Sequence, residues 1–154
     1  MDSIPIKLKK AKLLQMNLRS IRQIGGWSAV DFGEKIGVKK QTISDLENNS
    51  REISLTQYLA IRAILDEEIA SGNENATVLQ KIIEICIDKG VEIEEGGIKE
   101  LTDTVEIVAA SALKGKKGGT LDKLLNILFE TMTSAILLKT LVDLGVAIRD
   151  YKKY

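Results

Sequence analysis

From residue 5 to residue 24, apolar side chains return every three or four positions, at Leu8, Ala11, Leu14, Leu18 and Ile21. This period is one face of a helix, and Pro5 suits its first turn. Gly25 and Gly26 stop it. A second start follows in "WSAVDF", where Ser28 is placed to cap a short helix and Trp27 and Phe32 have the spacing of a hydrophobic staple. That helix ends at Gly37. Val38 and Ile43 repeat the staple around a third helix, which closes near "ENNS", with Asn49 suited to the left-handed conformation. A fourth starts at "ISLTQY", with Ser54 as cap, Gln57 completing a capping box and Ile53 with Tyr58 as staple, and runs to about residue 69.

The segment "SGNENAT", residues 71–77, is polar and without periodicity, and is read as a linker between a domain at 1–70 and another at 78–154. Beyond it, Val78, Leu79, Ile82, Ile83 and Cys86 form an amphipathic face closed by Gly90, and "VEIEEGG" reads as a loop or short strand. Ile98, Leu101, Val105, Val108 and Ala112 define the next helix, which stops before "KGKKGG". The last helix is expected from residue 120 to about 143. Its stretch "SAILLKTLVDLGVAI" is apolar nearly all round, which calls for burial in a bundle or a subunit interface. Lys139 and Asp143 interrupt the run, so a membrane span is not expected.

Composition agrees with an all-α chain: among 154 residues there is one proline, and aromatic residues are only 4%. The net charge is zero, but residues 1–51 hold ten Lys and Arg against five Asp and Glu, leaving +5 there and −5 in the remainder. Such an asymmetry gives a neutral chain one face suited to polyanions. The sequence has no histidine, the usual metal ligand and general base, and pairs no nucleophile with a base. No enzymatic activity, metal or other cofactor is therefore expected. The single Cys86 excludes an internal disulfide and reads as a buried apolar residue. "KGKKGG" clusters lysine and glycine but lacks the Walker spacing, and is read as an inter-helix loop. The N-terminus carries no signal-peptide pattern, so a cytoplasmic protein is expected.

Two short helices joined at a glycine, flanked by a first and a fourth helix, make a helix-turn-helix plan. Ile36, Val38, Ile43 and Leu46 fall toward the shared core and leave Lys40, Gln41, Ser44, Asp45 and Asn48 outward. A polar, hydrogen-bonding face of this size matches what base readout in a major groove requires. The stretches "LRSIRQIGGWS", "SAVDFGEKIGVKKQTISDLEN" and "SLTQYLAIRAIL" resemble the XRE, or Cro and cI repressor-like, helix-turn-helix family over about residues 13–66. The resemblance implies a lambda-repressor-like helical bundle at the N-terminus, followed here by a helical C-terminal domain.

It further implies that the helix beginning at Lys39 enters the major groove. Lys40, Gln41 and Asp45 then fall where bases are read, with Thr42 and Ser44 beside them. Ser28, Lys39, Asn48, Asn49, Ser50 and Arg51 fall where the family holds the DNA backbone, and Arg22 and Glu47 where it forms an ion pair between helices one and three. The sequence departs from the family at Ala29, where a phosphate-binding Gln is usual, at Lys39, where a capping Ser or Thr is usual, and at Asn49, which replaces a common Gly. The implied function is a sequence-specific regulator, a repressor that binds double-stranded operator DNA as a homodimer through its C-terminal helices, residues 78–154 being a dimerisation or effector domain. An antitoxin or antirepressor-like protein, whose C-terminal half binds a protein partner, is the alternative.

Overall fold

A computed structural model describes residues 2–132, and these are helical throughout, without a strand. The first four helices fall close to their expected bounds. α1 (Ile4–Gly25) is capped by Ser3 and ends at Gly26, whose φ of 80° suits a glycine. α2 (Ala29–Ile36) is capped by Ser28, whose Oγ accepts from Asp31 N at 3.0 Å. The Trp27 and Phe32 rings stack across that start with centroids 5.4 Å apart. α3 (Lys40–Glu47) starts at Lys39 with no side-chain cap, as the substitution of Lys for Ser or Thr there predicts. α4 (Leu55–Ser71) has the full Ser54 and Gln57 capping box.

The α2 to α3 turn is fixed by two glycines. Gly37 has φ 85°, and a Cβ on Gly33 would sit 2.7 Å from the Val38 carbonyl, so only glycine lets α3 leave so close to α2. Leu14, Leu18, Ile21, Phe32, Ile43, Leu46, Ile61 and Leu65 are buried together at the centre of these four helices.

The second half departs from the sequence pattern in three places. α5 (Ala76–Ile82) does not continue as an α-helix to Gly90. It passes into a π-helical stretch (Ile83–Asp88), closed by Lys89 N donating to Glu84 O at 2.8 Å, then a 3-10 turn (Gly90–Glu92). The widened turn keeps Ile83, Ile85, Cys86 and Ile87 all buried, which a regular helical stripe does not do. "VEIEEGG" contains no strand: after extended Ile93 it becomes the first turn of α6 (Glu95–Leu113), which includes Gly96 and Gly97. α7 (Gly119–Glu130) buries Leu121, Leu125 and Phe129 but stops at Thr131, well short of residue 143. The apolar stretch "SAILLKTLVDLGVAI" with Lys139 and Asp143 lies outside the described residues.

Segment 71–77 is mostly exposed but is tied to both halves through Asn75. Asn75 Nδ2 donates to Ile24 O at 2.8 Å and its Oδ1 accepts from Gly118 N at 2.7 Å, joining the end of α1 to the start of α7. α1 lies against both halves, with α6 as its most extensive partner, and one continuous core runs from Leu14 to Phe129. Arg62 of α4 clasps Asp88 in a bidentate pair at 2.6 and 2.7 Å, joined by Lys10 at 3.6 Å. Hydrogen bonding to Asp88 holds the Arg62 guanidinium even more firmly protonated than usual. Lys9 donates to Val91 O, so two of the lysines in "KLKKAK" are committed to the C-terminal half. Burial pushes the Cys86 thiol up to about 12, in keeping with its role as packing.

Candidate nucleic-acid interface

α3 is amphipathic with a clean division. Ile43 and Leu46 are buried. Lys40 and Gln41 are exposed, Ser44 and Asp45 are half-buried, and Asn48 just beyond the helix is exposed. The helical period puts Gln41, Ser44, Asp45 and Asn48 on one outward stripe, with Lys40 at its leading edge and half-buried Thr42 on the flank nearer Leu46. Lys39 and Ser28 stand exposed at the starts of α3 and α2, and Asn49, Ser50 and Arg51 continue the exposed surface past the end of α3. Asn49 takes φ 60°, the left-handed position that the sequence assigns it, and so turns the chain there.

Two of the outward residues are already joined. Gln41 Nε2 donates to Asp45 Oδ1 at 2.9 Å. The amide keeps its second hydrogen and its Oε1, so the bond fixes its plane while leaving one donor and one acceptor outward, the set that an adenine edge complements. Asp45 Oδ2 lies 3.8 Å from an Arg51 guanidinium nitrogen, which offsets the one acidic group of the outward stripe.

The face is anchored from behind. Arg22 Nε donates to Glu47 Oε2 at 2.7 Å and Arg22 Nη2 to Glu47 Oε1 at 3.0 Å, a bidentate pair, while Nη1 reaches Trp27 O at 3.0 Å. The Glu47 side chain is only 4% exposed, so this pair sits where solvent screens it little. It ties α1, the entry to α2 and the end of α3 into one unit.

Sequence reasoning overlooked two further anchors on α1. Arg19 donates to Glu47 Oε1 at 3.3 Å and to Asn48 Oδ1 at 2.8 Å. Gln15 is buried and binds the backbone at three points, Leu46 O in the last turn of α3 and Arg51 O and Ile53 N beyond it. Its one signal in the sequence is a polar side chain beside the apolar stripe of helix one, four residues after Ala11 and three before Leu18.

Among the described residues there is no cluster of acidic, cysteine or histidine side chains fit to hold a metal, and no helix long and apolar enough to cross a membrane.

A helix-turn-helix family model matches residues 18–70. The chain is similar to antitoxin HipB of Escherichia coli O6:H1 strain CFT073, at 39% identity over 49 residues, 32% of this chain and 52% of that protein. It is also similar to antitoxin HipB of Escherichia coli K12, at 37% identity over 49 residues, 32% of this chain and 56% of that protein. The chain thus spans about half the length of the curated relatives it matches. No solved structure matches.

Proposed function

We propose that this chain, whose residues 18–70 form a helix-turn-helix DNA-binding domain, is a sequence-specific transcriptional regulator that represses by occupying a two-fold operator as a homodimer. The observation that carries this reading is the outward stripe of α3, held by the buried Arg22–Glu47 pair and continued by an exposed, donor-rich turn at residues 48–51. Gln41 reads adenine through the amide that Asp45 orients, Lys40 donates to guanine or a phosphate, and Asp45 accepts from cytosine. Thr42 and Ser44 stand beside them. Ser28, Lys39, Asn48, Asn49, Ser50 and Arg51 hold the sugar-phosphate backbone and set the register without adding sequence information.

One module makes few base contacts. Pairing two copies on half-sites about one helical turn apart multiplies affinity and doubles the sequence read, and the C-terminal helices are the element we assign to dimerisation. On this reading the protein is cytoplasmic, carries no cofactor and catalyses no reaction.

The name of the similar proteins favours a second reading, in which this chain is an antitoxin: its C-terminal half binds a protein partner and α3 supplies autoregulation. Both readings keep the same DNA-binding face, and binding by variants of the full chain tests it. Lys40→Ala and Gln41→Ala should each lose on the order of 1 to 3 kcal/mol on the preferred duplex and flatten the preference at one base position. Arg51→Ala should weaken binding to every duplex alike and reduce the salt dependence by about one counterion. Titration by fluorescence anisotropy reads both. Unchanged affinity in all three variants would remove α3 from the interface.

A further inference from the structure

We infer that Gln15, a buried residue of α1 remote in sequence from α3, is the positioning residue that sets the phosphate-binding turn at residues 48–51; this inference rests on the DNA-binding reading above. Gln15 is 8% exposed and its side-chain amide is used in full. Nε2 donates to Leu46 O at 3.0 Å and to Arg51 O at 2.7 Å, and Oε1 accepts from Ile53 N at 3.0 Å. Leu46 lies in the last turn of α3, where carbonyls run out of helical partners, and Arg51 and Ile53 bracket the return of the chain into the core. One rigid amide plane therefore fixes the two ends of the turn relative to each other. Between those ends stand Asn48, Asn49, Ser50 and Arg51, all exposed, with Asn49 at φ 60°.

Gln15 does not act alone on this edge. Residues 15, 19 and 22 follow one another along a single side of α1 at helical spacing. Arg19 Nη2 donates to Asn48 Oδ1, so the Asn48 amide must turn its Nδ2 away from α1 as a free donor, the polarity a phosphate needs. Arg22 holds Glu47. The stripe thus grips the end of α3 at Leu46, Glu47, Asn48 and Arg51, and Gln15 supplies its only uncharged and most buried contact among these three. Its loss leaves two backbone carbonyls and one N–H without their side-chain partner. The turn can meet these needs only by moving toward water, which takes the phosphate donors out of register with the face of α3.

The decisive variant is Gln15→Met, which keeps the length and removes every hydrogen bond. Affinity measured well below the melting temperature should fall about tenfold for the preferred duplex and for unrelated duplexes alike. The salt dependence should become shallower by about one counterion, with base preference unchanged. A role in stability alone would lower the melting temperature and leave affinity and salt dependence untouched, and that result overturns the inference. Should Gln15→Met fail to fold, amide exchange in the wild-type chain decides: the Gln15 side-chain protons and the Ile53 N–H should be protected, and exchange at the rate of free amides overturns the clamp. If the wild-type chain binds no duplex, the DNA-binding reading falls by itself, and the role of Gln15 in the interface falls with it even where the exchange measurement upholds the clamp.

Discussion

Arg22→Leu should destabilise the full chain by roughly 3 kcal/mol, at the lower end of what removing one partner from a buried ion pair costs. Glu47 would be left as a carboxylate with a side chain only 4% exposed, and Trp27 O would lose its guanidinium donor. The lower end applies because Arg19, at 3.3 Å from Glu47 Oε1, stays in place, although it is half exposed and its pairing is weakened by solvent. Urea unfolding followed by circular dichroism reads the change in midpoint. The double variant Arg22→Leu, Glu47→Leu should recover much of the lost stability, because it removes the stranded charge together with its partner. Its DNA affinity should remain low, since the bidentate tie between α1 and Glu47 is gone and only the Gln15 and Arg19 contacts still join α1 to the end of α3. A double variant that regains both stability and affinity would reduce the pair to a stability feature.

The larger effect concerns the division of the chain. A fragment ending at residue 70 should lose cooperative folding, although it contains every helix of the DNA-binding plan. α1 is buried on two sides: Leu14, Leu18 and Ile21 share the core of the first four helices, while Leu13 meets Gly90 and Ile24 O binds Asn75. Cutting at 70 bares the second side, at about 1.5 to 3 kcal/mol for each large apolar side chain returned to water. It also strips Asp88 from Arg62 and Lys10, leaving two cations facing each other's surroundings without their shared carboxylate. For a small domain of marginal stability this is enough to unfold it. The expected signature is a broad, non-cooperative urea profile for the fragment beside a single sharp transition for residues 1–154. A fragment with the full chain's midpoint would mean that the two halves are energetically separate.

These two variants mark where the sequence was informative. α1 to α4 were legible because each begins or ends on chemistry local to the chain: Ser28 over Asp31, Ser54 with Gln57, and glycines at 26 and 37 in left-handed turns. The Arg22–Glu47 contact was legible only through the family resemblance; the two side chains lie 2.7 Å apart. What the sequence hid is of two kinds. The π-helical stretch at 83–88 buries residues all round, so its apolar run reads equally as one face of an ordinary helix. Gln15 and Asn75 act across 31 to 51 residues of chain, and a lone amide carries no mark of a partner so remote. The segment 71–77 reads as a linker because it is polar, and nothing in that polarity distinguishes Asn75, whose amide bonds Ile24 O and Gly118 N, from its exposed neighbours. The end of α7 at Glu130 was missed for a related reason: apolar residues continue past Thr131, and no proline or glycine marks the stop.

The outward stripe of α3 gives the chain its proposed role, and the reading of Asp45 changes most with the structure in hand. Taken alone, it is an acidic group on a face meant for phosphates. With Gln41 at 2.9 Å and Arg51 at 3.8 Å it orders the amide of one proposed reader and is offset by the guanidinium of a proposed backbone contact.

The measurement that bears most directly on this role is selection of bound sequences from random duplex DNA by the full chain, repeated at two salt concentrations. A palindromic consensus with half-sites about one helical turn apart, kept at the higher salt while overall affinity falls, is the expected result. Binding that yields no consensus and disappears as salt rises would contradict sequence-specific recognition by α3.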